Sequence, residues 1–384
     1  MTTVLIAKSF VNRRGGGGRL VGGGVNMMIR NKVVAVAKSK LTATPSMVPS
    51  SYNMRSISSS SIRLSTSTSS SSSSSSSPHP DIQIVEVSPR DGLQNETLAA
   101  SGILTTDDKV ELIQRLANSG VTNIEMGSFV SPKWVPAMSD SEQVITGYYN
   151  NDDVEDNKTI SSSAKTIQSS VLVPNIKGLQ RSLSLIDDKT GKPLINEIAV
   201  GASASDLFAY KNWNCQTSKD LIETKCIPVA NSLHDYNKEH STNIKLRVYI
   251  SCVVGCPYQG YVEPKNVASI IEQLMVQLPS GLEVSHISLG DTIGVGTPNT
   301  IRNMLNEVYE VLRGYERVHD HSNSSLLAAH YHDTYGQALS NILTSIEHPC
   351  EIRCIDSSVA GLGGCPYANG SSGNVATEDV IYML

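Results

Sequence analysis

Two histidines that are two residues apart form the clearest potential metal site in the sequence. His330 and His332 lie in an apolar run that predicts a strand, where side chains at i and i+2 point to the same side. A single histidine in a strand would more simply have a structural role, but a pair at this spacing is better explained as two metal ligands. If Asp91 and Asn374 converge on them, two imidazoles and two oxygens would suit a six-coordinate Mg²⁺ or Mn²⁺. A zinc site would more usually be tetrahedral and contain cysteine.

A cysteine within a glycine-rich stretch could also do chemistry. Cys365 lies in SSVAGLGGCPYANGSSGN, residues 357–374, between a predicted strand and a predicted helix. Glycines allow tight turns and close approach to a ligand. The thiol is therefore expected to be exposed and positioned for reaction rather than packed in a core. A flexible surface turn with an incidental cysteine is the alternative.

Other reactive side chains fall at or near predicted strand ends. Arg90 either forms a structural salt bridge with Asp91 or Glu125 or stabilises an enolate oxygen as charge develops there. Glu125 and Asp291 are carboxylates that either transfer protons or support the metal ligands, and the sequence leaves open which is the general base. Tyr258 either contacts substrate or simply packs.

Eight β-rich runs alternate with helix-like segments from residue 81 onward, and they would position these side chains. The predicted strands are 82–87, 121–126, 170–174, 195–200, 245–252, 285–290, 326–332 and 353–359. The predicted helices are 107–118, 218–238, 264–278, 298–313, 335–347 and 376–384. This pattern predicts an α/β fold, a (β/α)₈ TIM barrel whose functional residues collect where strands end. An open doubly wound sheet is the alternative, although no GxGxxG follows the first strand.

Residues 1–80 differ in composition from the rest of the chain. They contain ten Lys and Arg, no Asp or Glu, and many Ser and Gly residues. This composition is typical of an organelle transit peptide, and a disordered basic tail is the alternative. Under either interpretation, residues 1–80 have too little apolar surface to fold. We therefore expect a disordered transit peptide and Ser-rich linker at 1–80, and one TIM-barrel catalytic domain at 81–384.

Charge and cysteine content argue against several classes of protein. The chain carries 31 Lys and Arg against 36 Asp and Glu, and without the ten basic residues of 1–80 the net charge is about −15. Such an acidic protein is a poor candidate for nucleic-acid binding. No run of 18 apolar residues occurs, so we expect no membrane span. Seven scattered cysteines predict reduced thiols rather than a disulfide scaffold.

Six motifs, in this order, resemble those of the 3-hydroxy-3-methylglutaryl-CoA lyases. They are VEVSPRDGLQNE (85–96), SFVSPKWVP (128–136), GCPYQG (255–260), SLGDTIGVGTP (288–298), HYHDTYGQAL (330–339) and the stretch at 357–374. The resemblance runs from about residue 81 to the C-terminus. It implies a metal-dependent TIM-barrel lyase that cleaves 3-hydroxy-3-methylglutaryl-CoA to acetoacetate and acetyl-CoA. It further implies a role in leucine degradation and ketone-body formation, a homodimer and, with the leader, the mitochondrial matrix.

The same resemblance implies a role for individual residues. Four residues would bind the divalent metal: Asp91, His330, His332 and Asn374. Arg90 would stabilise the enolate, and Cys365 would carry a proton to or from the methylene carbon of the departing acetyl group. Arg90, Gln94 and Tyr258 are expected to contact the acyl-CoA substrate.

Some features depart from the family pattern or leave alternatives open. Family members continue for several dozen residues past the point matching Leu384, so we expect a truncated final helix. The stretches 150–165 and 187–193 resemble insertions. The nearest alternative is an isopropylmalate- or homocitrate-synthase-like enzyme, which shares an RDG and an HxH. Those synthases carry a GERAGN-like run in place of GGCPYANGSSGN, and a C-terminal regulatory domain. A barrel that binds metal without turnover is the other alternative.

Overall fold

Eight parallel strands close into a barrel. The computed structural model describes residues 82–150, 167–319, 326–364 and 373–384. The expected leader at 1–80, almost all of the stretch 150–165, and Cys365 lie outside these described residues. The barrel strands are β1 (Gln83–Glu86), β2 (Asn123–Ser128), β3 (Gln168–Leu172), β4 (Glu197–Ser203), β5 (Lys245–Ser251), β6 (Val284–Asp291), β7 (Leu327–Tyr331) and β8 (Cys354–Ser357). They follow chain order around the barrel, and β8 pairs with β1, which confirms the predicted TIM barrel.

A helix follows each strand. These helices are α1 (Thr106–Asn118), α2 (Ser141–Asn150), α3 (Ile176–Leu183), α4 (Ile227–His240), α5 (Pro264–Gln277), α6 (Pro298–His319), α7 (Ala338–Glu347) and α8 (Thr377–Met383). Shorter helical segments lie at Ser88–Gly92, Thr97–Ala100, Pro136–Met138, Asp206–Trp213, Ser218–Leu221, Ile222–Cys226 and Val359–Gly361. After β5, Gly255–Cys256 pairs with Gly260–Tyr261 as a short antiparallel hairpin.

Helix α1 shows how local sequence fixes an element. Thr105 caps it, because its hydroxyl accepts the N–H of Asp108 while the Asp108 carboxylate accepts the N–H of Thr105. Val110, Ile113 and Leu116 then fall on one buried face at helical spacing. The helix therefore begins where its cap dictates and packs its apolar face against the barrel core.

The barrel wall is apolar on the outside and polar on the inside. Along β5, Leu246, Val248 and Ile250 belong to the main apolar core. The alternate residues Arg247 and Tyr249 are also buried, but they contact polar groups on strands across the barrel. This alternation follows from the two-residue repeat of a strand, and it places charged side chains in the interior below the strand ends.

Three smaller expectations concern loops, thiols and membranes. Residues 187–193, one of the two stretches that resemble insertions, form an exposed turn in which Thr190 donates to the Asp187 carboxylate. The six cysteines in the described part of the chain are free and buried. Within that same part, no helix has both the length and the apolar character needed to cross a bilayer.

Glu86 joins the end of β1 to the segment that follows β8. Its buried carboxylate accepts the N–H groups of Ser88 (3.0 Å) and Val359 (2.9 Å) and the hydroxyl of Thr377 (2.7 Å). The Ser88–Gly92 turn and the start of α8 are therefore fixed to one another through a single side chain.

Glu86→Ala is expected to lower the free energy of unfolding by about 3 kcal/mol, because it leaves the buried N–H groups of Ser88 and Val359 unpaired and removes an acceptor from Thr377. Urea unfolding followed by circular dichroism measures the change. Glu378→Ala is a matched control: Glu378 is only partly buried, and its carboxylate accepts the N–H of Ala360. A Glu86→Ala variant no less stable than this control would contradict the prediction.

Candidate active site

The upper ends of the strands bring Asp91, His330 and His332 together. One potential ligand atom of each residue lies within 4.8 Å of the other two. The two imidazole rings are centred 5.5 Å apart, and all three side chains are buried. His330 belongs to β7, and His332 follows it and forms an isolated bridge with Asn374. The four residues expected from sequence to bind a metal are therefore neighbours.

Asp91 reaches the cluster from a helical turn and not from a strand. β1 ends at Glu86, and the π-helical turn Ser88–Gly92 follows it. The N–H groups of Arg90, Asp91 and Gly92 all donate to the carbonyl of Val87. Arg90, expected at or near a strand end, thus lies with Asp91 in a compact turn just after β1, where both side chains join the cluster.

The two oxygens of the Asp91 carboxylate have different partners. Oδ1 accepts hydrogen bonds from Arg90 Nη1 at 2.5 Å and from Gln94 Nε2 at 2.6 Å. Oδ2 accepts from Asn374 Nδ2 at 2.7 Å and lies 3.8 Å from His330 Nε2. Oδ2 is therefore the oxygen that faces the histidines, and Gln94 holds the carboxylate from the other side.

Charges around the cluster keep Asp91 ionised. Burial acts to raise the pKa of the Asp91 carboxyl, but Arg90, His330 and His332 outweigh it, and the pKa lies well below its usual range. Burial, with the charge of His330, lowers the pKa of His332 to about 4. At neutral pH the site therefore offers one carboxylate and one neutral imidazole, the forms that bind metal.

One ring nitrogen and the set of donor atoms show whether a divalent cation fits the site. His332 Nδ1 is buried and has no hydrogen-bond partner among the described residues. An unpaired buried nitrogen is costly, so it calls for a ligand. Two imidazoles, the carboxylate of Asp91 and the adjacent amide of Asn374 suit a hard or borderline divalent cation. The donor set therefore fits a divalent metal.

Arg90 is held by an ion-pair network. Its Nε and Nη2 lie 2.8 Å and 2.7 Å from Glu125 Oε2, which also accepts the hydroxyl of Tyr249 at 3.2 Å. Burial acts to lower the pKa of Arg90, but Glu125 and Asp91 raise it above its usual range. The guanidinium is therefore charged and fixed at the edge of the cluster of Asp91, His330 and His332. Oε1 of Glu125 is buried without a hydrogen-bond partner in the described part of the chain.

Asp291 ends β6, as the sequence indicated, but its carboxylate is engaged by its own loop. It accepts the N–H groups of Val295 at 3.2 Å and Gly296 at 2.8 Å. Burial raises the pKa of Asp291 to about 6, although these N–H groups oppose the shift. These contacts supply a structural role for Asp291, and its acid–base role stays a prediction.

The structure describes Tyr258 but not Cys365. Tyr258 lies in the hairpin after β5, where its ring is 6.3 Å from that of Phe208 and 40% of the residue is exposed. Cys365 lies outside the described residues, but both flanks of its segment are described. The N–H of Gly373 donates to the carbonyl of Gly363 at 3.0 Å, directly beside Asn374. The described residues on either side of 365–372 therefore lie beside Asn374.

A polar layer beneath the cluster was not expected from the motifs. Its members are Arg247, Tyr249, Ser288 and Asp356, on strands β5, β6 and β8. A signal for two of them exists in the sequence, because Arg247 and Asp356 are charged residues within otherwise apolar strand runs. A charge in such a position must be paired inside the fold.

Gly363 is expected to tolerate no side chain. Its φ is +108°, and a Cβ would lie 2.8 Å from Asn374 Nδ2 and 3.3 Å from the Cα of Gly92. We expect Gly363→Ala to displace Asn374 and to weaken Mn²⁺ binding about tenfold or more. Electron paramagnetic resonance of free Mn²⁺ measures this. At Gly364 a Cβ would meet nothing within 4 Å, so Gly364→Ala is the matched control. Equal affinity in the two variants would contradict the prediction.

Comparison with known proteins agrees with this site. Residues 81–384 match the HMGL-like family model. The chain is 44% identical over 303 residues to the Arabidopsis thaliana protein named "Hydroxymethylglutaryl-CoA lyase, mitochondrial", covering 79% of this chain and only 54% of that one. It is 40% identical to the Rattus norvegicus protein named "3-hydroxy-3-methylglutaryl-CoA lyase, cytoplasmic", covering 79% and 74% of the two chains.

A solved structure supports the same relationship. The crystal structure of the HMG-CoA lyase from Brucella melitensis superposes with a TM-score of 0.64 at 40% sequence identity, covering 80% of this chain and 90% of that one. Identity of this level over most of both chains goes beyond a shared barrel. The chain therefore belongs to the HMGL-like family, the family of the 3-hydroxy-3-methylglutaryl-CoA lyases.

Proposed function

We propose that this protein cleaves 3-hydroxy-3-methylglutaryl-CoA into acetoacetate and acetyl-CoA. The observation that carries the proposal is the buried group of Asp91, His330 and His332 with the charged Arg90 beside it. The names of the relatives supply the substrate and the reaction. This is a carbon–carbon lyase reaction of the retro-Claisen type.

Asp91, His330, His332 and Asn374 would hold a divalent cation, Mg²⁺ or Mn²⁺. When bound, the cation would polarise the tertiary hydroxyl of the substrate and lower its pKa, as a cation does for water. The chain supplies the rest of the chemistry through residues that border this cluster.

The reaction begins with loss of the hydroxyl proton to a carboxylate. Glu125, through its free Oε1, and Asp291 are the two candidates for this general base. The oxygen lone pair then forms the new carbonyl of acetoacetate as the C2–C3 bond breaks. The electrons of that bond pass to the thioester, which becomes an enolate. Arg90, fixed by Glu125, would stabilise the enolate oxygen.

Protonation of the enolate carbon completes the reaction. Cys365 would donate this proton from its thiol and give acetyl-CoA. The described residues Gly363 and Gly373, on either side of its segment, are hydrogen-bonded to each other next to Asn374, which supports this role. Gln94 and Tyr258, together with Arg90, are the proposed substrate contacts at the barrel mouth.

The finer assignments also belong to the proposal. Residues 1–80 would be a mitochondrial transit peptide with a linker, and 81–384 the catalytic domain. The Arabidopsis relative is named mitochondrial and the rat relative cytoplasmic. The basic, acid-free composition of 1–80 favours the mitochondrial matrix for this chain. A homodimer acting in leucine degradation and ketone-body formation completes the proposed assignment.

Product analysis tests the proposal against the synthase alternative. The purified chain is incubated with 3-hydroxy-3-methylglutaryl-CoA and Mg²⁺, and separately with acetyl-CoA and a 2-oxo acid. We expect acetoacetate and acetyl-CoA in equal amounts from the first mixture and no free CoA from the second. CoA release from the second mixture alone would replace the lyase with a synthase. Metal binding without product in either mixture would favour a non-catalytic barrel.

A further inference from the structure

A buried aspartate lies directly beneath the candidate metal site formed by Asp91, His330 and His332. Asp356 is in β8, and only 2% of it is exposed. Its Oδ1 is hydrogen-bonded to Nη2 of Arg247, which is completely buried. Its Oδ2 accepts the hydroxyl of Ser288 at 2.7 Å and faces His330 Nδ1 at 3.2 Å. Four consecutive strands, β5 to β8, thus contribute one residue each to a connected chain that ends on a metal-ligand candidate.

The chemistry of Asp356 decides which nitrogen of His330 carries hydrogen. A carboxylate paired with a guanidinium is ionised, and an ionised carboxylate can only accept hydrogen bonds. His330 Nδ1 must therefore be the donor. In the neutral ring the lone pair then resides on Nε2, the nitrogen that lies 3.8 Å from Asp91 Oδ2 on the cluster side.

The ring of His330 is also fixed in direction. Tyr249 packs edge-on against it, with ring centroids 5.6 Å apart and an angle of 76° between planes. Arg247 stacks on that same tyrosine, 5.4 Å from its centroid, so Arg247 supports both neighbours of the imidazole. His332 differs, because its Nδ1 has no hydrogen-bond partner within the described ranges. Of the two histidines, His330 is therefore the one whose ring orientation is fixed before a metal binds.

We infer that Asp356, anchored by Arg247 and Ser288, is a positioning residue that holds His330 in the Nδ1–H tautomer and presents Nε2 to the metal. The inference rests on the metal centre of the proposed function. Partners of this kind set the tautomer and basicity of a ligating imidazole, and their loss typically weakens metal binding 10–100-fold. The geometry explains why a charged pair is buried so deeply below the site.

Metal affinity of one variant is the first test. Asp356→Asn removes the charge that requires a donor on Nδ1 while keeping the size of the side chain. We expect its Kd for Mn²⁺, measured by electron paramagnetic resonance on the purified full chain, to rise about 10–100-fold. A folded Asp356→Asn variant that binds Mn²⁺ within twofold of the parent would overturn the inference.

A second pair of variants keeps the test decisive if Asp356→Asn does not fold. Ser288→Ala removes one hydrogen bond to Asp356 Oδ2, and we expect the Kd for Mn²⁺ to rise about fivefold. Ser285→Ala is the matched control on the same strand, since that hydroxyl donates to the carbonyl of Leu246 instead. Equal Mn²⁺ affinity in the two serine variants would count against the positioning role.

A direct readout of the tautomer separates positioning from simple stabilisation. Nitrogen NMR of the metal-free parent, labelled on its histidines and recorded at alkaline pH where the His330 ring is neutral, reports which ring nitrogen of His330 bears hydrogen, with the signal assigned by its loss in His330→Gln. We expect hydrogen on Nδ1 in the parent and in Ser285→Ala, and a mixture of tautomers in Asp356→Asn. Hydrogen on Nε2 in the parent would overturn the inference. None of these measurements requires turnover, so a failure of the lyase assignment would leave a distinct result.

Discussion

His332→Ala is expected to fold but to bind Mn²⁺ far more weakly than the parent. The substitution removes a buried imidazole whose Nδ1 has no other partner in the described chain, so the folded protein loses a ligand and no internal hydrogen bond at that atom. Because loss of a supporting residue alone weakens metal binding 10–100-fold, loss of a ligand should weaken it at least about 100-fold. Lyase activity at a fixed, low Mn²⁺ concentration should fall by at least the same factor. Free Mn²⁺ by electron paramagnetic resonance and acetoacetate release measure the two effects.

His348→Ala is the control for removal of a buried histidine. His348 lies after α7, where its Nε2 contacts Asn306 Oδ1 at 3.0 Å in the wall of helices around the barrel. We expect it to lower thermal stability and leave Mn²⁺ affinity unchanged. A His332→Ala variant that holds Mn²⁺ as tightly as the parent would refute the assignment of His332 as a ligand.

Cys365→Ala is expected to separate catalysis from metal binding. A positioned acid contributes about 10²–10⁴-fold to rate, so kcat should fall by that factor if the thiol donates the proton to the enolate. Mn²⁺ affinity should stay that of the parent, because the four expected ligands are unchanged. Steady-state acetoacetate release and Mn²⁺ titration on the same preparation measure both quantities.

A second cysteine variant shows whether the effect is specific. Cys226 is the buried last residue of the short helical segment Ile222–Cys226, directly before α4, and burial raises the pKa of its thiol to about 12. Cys226→Ala should therefore change stability and leave kcat within about twofold of the parent. Retention of more than about a tenth of the parent activity in Cys365→Ala would exclude Cys365 as the proton carrier.

The strands were predictable because they are buried, and buried strands are rich in apolar residues. Each of the eight barrel strands overlaps a predicted one, since a strand covered by helices must have an apolar outer face. Helices α2 and α3 were not predicted. Helix α2 contains Gly147 and several β-branched and aromatic residues, which are weak helix formers, and it forms because Val144, Ile145 and Tyr148 pack on the core. Tertiary packing outweighs local propensity there.

The site was partly predictable for a similar reason. His330 and His332 share a side of the chain because a strand repeats every two residues, and spacing alone shows this. The network around Asp356 depends on the barrel, which pairs β8 with β7 beside His330 and brings Arg247 of β5 to Asp356 across the interior. No local pattern encodes contacts between residues more than a hundred positions apart. Likewise, the π-helical turn that carries Asp91 depends on hydrogen bonds to the single carbonyl of Val87.

The central claim is that one divalent cation at Asp91, His330, His332 and Asn374 carries the lyase activity. Its most direct test is a titration of metal-stripped protein with Mn²⁺, in which bound metal and acetoacetate release from 3-hydroxy-3-methylglutaryl-CoA are followed in the same samples. We predict no activity in the stripped protein and a rate that rises in proportion to bound Mn²⁺, reaching its plateau at one ion per chain. Full activity in the stripped protein, or saturation with metal without acetoacetate, would contradict the claim.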